Sequence, residues 1–332
     1  MRVLVAGGAG FIGSHFVKRL LRAGDDVIVL DKLTYSGNRA NLPGDVELAH
    51  GDIAEPADVA HAARRCDAIV NFAAETHVDR SILTAEDFGR TEFRGTQVLL
   101  EHVRSAGIRL VQVSTDEVYG DLEAGGSSRE DDPLRPSSPY SAAKAAGDLL
   151  VPAYVRTFGV DASITRGSNT YGPNQYPEKF IPLFATNAFN GEPLPLYGDG
   201  RQVRDWLFVE DHCAGVELIL RKGEAGEIYN VGGGDEHENI EVAERILTLT
   251  GAERSLLRSV PDRPGHDRRY SLDTTKLRGL GWSPGTGFEE GLAETVAWYR
   301  ENRAWWEPIK SGDYREYYAR QYAERLANAT PV

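Results

Sequence analysis

The chain has 332 residues, 41% of them hydrophobic and 26% charged, enough for one large or two intimately joined domains with a sizeable core. Its apolar runs fall short of the roughly 20 residues that a membrane-spanning helix needs. Val3–Ala6 after Met1-Arg2 reads as a buried strand rather than a signal peptide, so a cytoplasmic protein without a membrane partner is expected. A net charge of −13 argues against a nucleic-acid partner, which wants a basic face, but leaves room for an anionic small molecule beside a local cluster of arginines.

In chain order, strand-like runs fall at Arg2–Ala6, Asp26–Leu30, Val46–Ala49, Ala68–Phe72, Arg109–Ser114 and Ala162–Arg166. Helical patterns lie between them near Phe11–Ala23, Glu55–Ala63, Ala85–Ala106 and Pro139–Phe158. Strand and helix alternating over short turns predict a doubly wound, Rossmann-like parallel sheet of the α/β class. After Tyr171 the texture changes. Prolines and glycines crowd Gly172–Gly200, where long loops are expected, and a smaller, irregular α/β C-terminal substrate region follows. It holds a helix near Val209–Leu220, a strand near Glu227–Val231 and helices near Ile240–Thr250 and Phe288–Arg303. The division expected is 1–171 for a dinucleotide and 172–332 mainly for substrate, with some later segments returning to the first domain. The residues after Leu326 read as a frayed polar tail. Cys66 and Cys213 lack metal-ligand spacing, and buried free thiols are expected.

Gly7-Gly8-Ala9-Gly10-Phe11-Ile12-Gly13 follows the first strand and opens the first helix. Gly7 suits a tight turn, Gly10 a close approach to a pyrophosphate, and Gly13 close packing of helix on strand. The phosphates would meet free N–H groups at the helix start. Asp31 ends the second strand at the distance from which a carboxylate accepts the ribose hydroxyls and repels a 2′-phosphate, which favours NAD over NADP. Lys32 beside it could partly offset that repulsion. Asp52 and Ile53 would border the adenine.

Tyr140 and Lys144 are four apart on one helix face. A neighbouring ammonium, together with a positively charged nicotinamide, can bring a phenol from its ordinary pKa near 10 toward neutrality. Pro139-Tyr140-Ser141-Ala142-Ala143-Lys144 lies downstream of the glycine turn and of Ser114-Thr115-Asp116-Glu117-Val118-Tyr119-Gly120. With these motifs the chain resembles the extended short-chain dehydrogenase/reductases. Among them it is most similar to the nucleotide-sugar dehydratase family that includes the dTDP-glucose 4,6-dehydratases. Matching segments run from Gly7–Gly13 to Asp262–Tyr270.

The resemblance implies C4 oxidation of a nucleoside-diphosphate hexose, loss of water across C5–C6 and return of the hydride to C6, with tightly bound NAD regenerated each turnover. Oxidation at C4 acidifies the C5 proton, which Glu117 would remove while Asp116 protonates the leaving C6 hydroxyl. Two carboxyls with opposite duties need different pKa values, and Asp116 is expected raised. Thr115 would bond the C4 hydroxyl and help Tyr140 take its proton. Adjacent residues on a flat strand face opposite ways, so Asp116 and Glu117 can share a substrate only if the chain has begun to turn.

Further cofactor contacts implied are Thr34, Phe72, Ala73, Ala74, Thr91 and Thr170. A pyrophosphate wants arginines, for which Arg204 and Arg263 are candidates, with His266 in the same segment. The resemblance adds Asn169 and Asn239 for phosphates or sugar, Lys179, Phe180, Pro195 and Tyr197 for the nucleoside, and Thr76 for the hexose. His77 and Asp79 read as pocket-shaping or core groups, and no metal is expected. Gly167 and Thr170 stand where relatives commonly carry Cys and a second Asn, and Gln202 replaces a frequent Asn. A homodimer paired through the helices near Ala85–Ala106 and Pro139–Phe158 is also implied. A 4-epimerase or a UDP-glucuronate decarboxylase would reuse C4 oxidation but need no acid at C6. A dinucleotide-sensing regulator would tend to lose the Tyr–Lys pair.

Overall fold

Apolar runs that alternate their side chains between two faces are stable where helices cover both. In the computed structural model, which describes residues 1–123 and 125–332 and the side chains among them except those of Leu83 and Asp313, the early runs are strands. They are β1 (Arg2–Ala6), β2 (Asp26–Asp31), β3 (Glu47–His50), β4 (Ala68–Asn71), β5 (Arg109–Thr115) and β6 (Ala162–Gly167). Then follow β7 (Asn169–Tyr171), β8 (Leu194–Tyr197), β9 (Val203–Phe208), β10 (Ile228–Val231), β11 (Glu236–Glu238), β12 (Leu257–Val260) and β13 (Thr330–Pro331). One seven-stranded sheet runs in the order β10-β6-β5-β4-β1-β2-β3, and its pairs are parallel.

Val3, Val5, Val29, Val70 and Val111 pack one face of this sheet against Phe16, Val17 and Leu20 of the helix Phe11–Arg22 and Val216 and Ile219 of the helix Val209–Lys222. The intervening Leu4, Ile28, Leu30, Ile69 and Leu110 pack the other face against Val59, Leu99, Val103 and Val151. The sheet is doubly wound. Strand order reverses between β1 and β4, so their carboxyl ends open the crevice where such sheets hold ligands.

The second lobe has its own core of Tyr171, Phe184, Trp206, Ile246, Phe288 and Leu292, beside the three-stranded sheets β11-β9-β7 and β13-β12-β8. Three sequence expectations are corrected there and nearby. The stretch expected as long loops contains the helix Phe180–Asn190, buried from Ile181 to Ala188. Its Pro182 lies in the first turn, where a proline costs no hydrogen bond, and so does not break it. The tail expected to fray is pinned, because Thr330–Pro331 pairs antiparallel with Ser259 and Arg258. It follows a helix, Asp313–Ala327, that burial by Tyr314, Tyr317 and Tyr322 rather than by aliphatic residues had hidden from hydropathy. The single helix expected over Ala85–Ala106 is Glu86–Gly89, a π-helical turn at Arg90–Gly95 and an α-helix at Thr96–Ala106.

Phe184 is 1% exposed in the second lobe's core. Phe184→Ala should cost about 3–5 kcal/mol in urea unfolding; a cost below about 1 kcal/mol would contradict a buried helix there.

Candidate functional site

The cleft begins at the glycine turn. Gly7 has a φ of +73° and donates its N–H to the Leu30 carbonyl at 2.8 Å, and a Cβ there would meet the Ala73 nitrogen at 2.5 Å. Gly10 caps the first helix without any side-chain cap, which leaves the helix start to a ligand's phosphates. Asp31 closes the loop, since Oδ2 accepts the Ala9 N–H at 2.9 Å and Oδ1 the Leu33 N–H at 2.8 Å. Each carboxylate oxygen keeps a lone pair for a hydroxyl donor. Burial raises the Asp31 pKa against those two amides. Lys32 lies 3.1 Å from Asp52, which also accepts from Arg90. The lysine charge is thus engaged by Asp52, which limits the offset expected of it.

Every residue expected at the cofactor lines one cleft: Gly7, Gly10, Phe11, Ile12, Gly13, Asp31, Lys32, Thr34, Asp52, Ile53, Phe72, Ala73, Ala74, Thr91, Tyr140, Lys144 and Thr170. The same cleft is lined by Thr115, Asp116 and Glu117, and by Thr76, Asn169 and Lys179. Lys179 Nζ donates to the Thr76 carbonyl, and Asn169 Oδ1 is buried without a partner among the described residues.

Thr115 ends β5, and Asp116–Val118 is already a 3-10 turn. The Thr115 hydroxyl accepts the Glu117 N–H at 3.3 Å and donates to Asp116 Oδ1 at 3.1 Å. Pleating has therefore stopped before the two carboxyls, and both reach the cleft.

Their surroundings differ. Asp116 is buried, with Oδ2 unpartnered among the described residues. Burial first, then the Glu117 and Asp205 carboxylates, hold its pKa well above the usual carboxyl range. Glu117 is half-buried, and desolvation raises its pKa too, but Arg263, Lys179 and Arg204 all oppose the rise. Anions outrank Arg204 around Asp116, whereas three cations outrank Asp267 around Glu117.

Tyr140 follows Ser138, which caps the helix Pro139–Phe158. Burial, then Glu117, Glu92 and Asp116, push the phenol well above 10, while a hydrogen bond with Thr115 pulls it down. Lys144 Nζ donates to the Val113 carbonyl at 3.0 Å and sits 3.1 Å from Glu92 Oε2. Among the protein's own groups the balance at Tyr140 thus opposes the lowering expected from the lysine.

Phe180, Pro195, Tyr197, Arg204, Asn239, Arg263 and His266, expected at the substrate, lie outside the lining of this cleft. Phe180 lies tilted against Phe184 with ring centres 4.2 Å apart, Pro195 pairs with Arg258 between β8 and β12, and the Asn239 N–H donates to the Gln202 carbonyl. The other four form an adjoining cluster linked electrostatically to Glu117. Arg204 lies 4.5 Å from the Tyr270 ring centre and donates to the Asp267 carbonyl. Arg263 Nε is 3.6 Å from Asp79, whose Oδ2 accepts from Tyr197 and Gln321 at 2.9 Å each. His266 pairs with Asp262 at 2.6 Å, yet burial holds its pKa down at about 4. His77 lies 3.3 Å from the Glu178 carbonyl. Among the described residues, no group of three or more His, Cys, Asp and Glu could hold a metal.

Two residues at or beside the cleft escaped the sequence: His212 in its lining and Glu92 behind Lys144. His212 bonds Thr170 Oγ1 through Nδ1 at 2.7 Å and is held at about 4 by burial. A Cβ at residue 167 would lie 2.6 Å from its ring. The two unusual residues Gly167 and Thr170 meet at this histidine, a signal that their shared oddity carried. Glu92 gave no such signal; its place depends on the π turn.

A family model described as GDP-mannose 4,6 dehydratase matches residues 4–295. A dTDP-glucose 4,6-dehydratase of Streptomyces niveus is 55% identical over 326 residues, spanning 94% of this chain and 97% of that protein. The crystal structure of DesIV, a dTDP-glucose 4,6-dehydratase of Streptomyces venezuelae with NAD bound, superimposes with a TM-score of 0.91 at 54% identity, over 93% of this chain and all (100%) of that one. A UDP-glucose 4-epimerase of Thermus thermophilus in complex with NAD follows at 0.87 and 36%, over 91% of this chain and 100% of that one.

Folded Asp116 keeps its proton through a pH range in which the unfolded chain has released it, so stability falls as pH rises across that range. Asp116→Asn should therefore stabilise the protein at pH 7 by about 0.5–2 kcal/mol. A urea midpoint equal to or below the parent's would contradict the buried acid.

Proposed function

The chain belongs to the GDP-mannose 4,6 dehydratase family, and from that premise we propose that it is an NAD-dependent nucleotide-sugar 4,6-dehydratase that converts dTDP-glucose to its 4-keto-6-deoxy product. The observation that carries this reading is the Asp116–Glu117 turn, with two adjacent carboxyls in one cleft and opposite electrostatic surroundings. The choice of dTDP-glucose is supported by the relatives of Streptomyces niveus and Streptomyces venezuelae that bear that substrate in their names.

The residues at the glycine end fit NAD. The approach of Gly7 to Ala73 leaves no room for side chains where the backbone must pass, and Asp31 has lone pairs to spare for ribose hydroxyls. Bound NAD would supply the hydride acceptor and, once reduced, the hydride donor.

Tyr140 takes the proton of the C4 hydroxyl, which Thr115, lining the same cleft, holds in place. The C4 ketone acidifies C5, and Glu117, facing Arg263, Lys179 and Arg204, takes the C5 proton. Asp116, kept protonated by burial and its anionic neighbours, gives its proton to the C6 hydroxyl, and water leaves. Glu117 then returns a proton to C5. Arg204 and Arg263 would meet the pyrophosphate beyond the hexose. An epimerase or decarboxylase has no use for a buried acid beside C6.

The reading is of a cytoplasmic homodimer. Phe93, 45% exposed, and Leu149, 62% exposed, lie on the two helical stretches suggested for pairing and support that contact.

Incubation with dTDP-glucose should give a product lighter by one water, with a 4-keto absorbance, without added NAD. Tyr140→Phe should lower kcat by roughly 10²–10⁴-fold. A product of unchanged mass would make it an epimerase, and full activity in Tyr140→Phe would end the enzymatic reading.

A further inference from the structure

The helix Pro139–Phe158 presents Tyr140, Lys144 and Gly147 as one stripe, spaced four and then three residues apart. Against that stripe lies the segment from Glu86 to Gly95. Phe88 meets the Tyr140 ring edge-on, with centres 6.3 Å apart. At Gly147 the two backbones approach so closely that a Cβ would come within 2.8 Å of the Glu92 carbonyl. Between these contacts the Glu92 side chain, 1% exposed, meets Lys144. The π turn at Arg90–Gly95 is what carries Glu92 into this position, and such turns gather at functional sites.

An ammonium in a low-dielectric cleft acts over several ångströms. An ion pair acts much less, because its partner's field nearly cancels its own. Lys144 sits between two acceptors, Glu92 Oε2 at 3.1 Å and the Val113 carbonyl at 3.0 Å. Glu92 Oε1 has no hydrogen-bond partner among the described residues. The charges around Glu92 are Lys144, Asp148 and Glu75, and Asp148 is itself bound to Arg166 at 2.8 Å. Around Tyr140 stand Thr115, Asp116, Glu117 and Glu92. A carboxylate this buried is costly unless it is paired, so its presence here needs a reason beyond packing.

We propose that Glu92 is a positioning residue of the reaction: its carboxylate clamps the Lys144 ammonium against the Val113 carbonyl and reduces the cation's field at Tyr140 to that of an ion pair. Glu92 lies outside the cleft lining; it acts by holding Lys144 and by setting its own charge against the cation's at the phenol. The clamp fixes where the ammonium stands in the cleft. The offset sets the pH at which the phenol can accept the C4 proton. This inference rests on the dehydratase reading.

The test uses holoenzyme as purified and follows the first half-reaction, the appearance of reduced cofactor when dTDP-glucose is oxidised at C4. That step runs on Tyr140 and does not spend the Asp116 or Glu117 proton. Glu92→Gln keeps an acceptor for Lys144 but removes the charge. Its rate-against-pH curve should rise at lower pH than the parent's by roughly one unit, making it up to about tenfold faster on the acid side, with KM changed less than about twofold. A uniform loss at every pH, or a shift to higher pH, would overturn the proposal. Glu92→Asp keeps the charge on a shorter arm and carries the test should the glutamine variant not fold. It should leave the rising limb in place and lower the plateau rate several-fold; a shifted limb or an unchanged plateau would overturn it. If the parent enzyme itself oxidises no dTDP-glucose, the dehydratase reading fails instead, and the two failures are distinct.

Discussion

The site depends on where β5 stops. Thr115 is the last extended residue, and its hydroxyl takes the Glu117 N–H and turns the chain into a single 3-10 turn. Had pleating continued for two residues, Asp116 and Glu117 would have faced opposite sides of the sheet. The turn sets both on the cleft, and the same hydroxyl donates to Asp116 Oδ1. One side-chain oxygen therefore links the Asp116 carboxyl and the Glu117 backbone. β5 lies between β4 and β6 in the parallel sheet, with Lys144 anchored on its Val113 carbonyl. The position of that turn is thus fixed by the whole sheet.

The cleft is assembled from groups that burial penalises and partners rescue. Asp116 has anions for neighbours, and raising its pKa is the cheaper response than ionising there. Glu117 shares the desolvation but has three cations within electrostatic reach. Lys144 has Glu92, and Arg166 has Asp148 at 2.8 Å, both pairs almost wholly buried. Such pairs add little net stability, while breaking one leaves a bare charge in the interior. Their effect here is to hold the helix Pro139–Phe158 in one register against β5, β6 and the π turn, and so to fix Tyr140.

The cofactor half was legible because its signals are local. The glycine turn, Asp31 and the six early strands depend on residues close in sequence, and the parallel sheet follows from continuous apolar runs. The second lobe was less legible. Phe180–Asn190 is buried almost all round and carries Pro182, so neither amphipathic periodicity nor a breaker rule identifies it. Asp313–Ala327 packs through tyrosines, and Thr330–Pro331 is ordered only by pairing with β12. Tyr197, Arg204, Arg263 and His266 form a cluster beside the cleft rather than its lining, since Asp79, Asp262 and Asp267 draw them into their own network. Glu92 looks like any helical glutamate until the π turn rotates it inward.

These features lead to one central statement. In the proposed reaction the hydride that leaves C4 would return to C6 of the same sugar, with Asp116 and Glu117 moving protons between the two events and the dinucleotide retained throughout. The most direct measurement is a crossover experiment with dTDP-glucose carrying deuterium at C4, mixed with substrate carrying carbon-13 throughout the hexose. The account predicts deuterium at C6 only in product that lacks carbon-13. Deuterium appearing in the carbon-13 product, in added NAD or in solvent would contradict it.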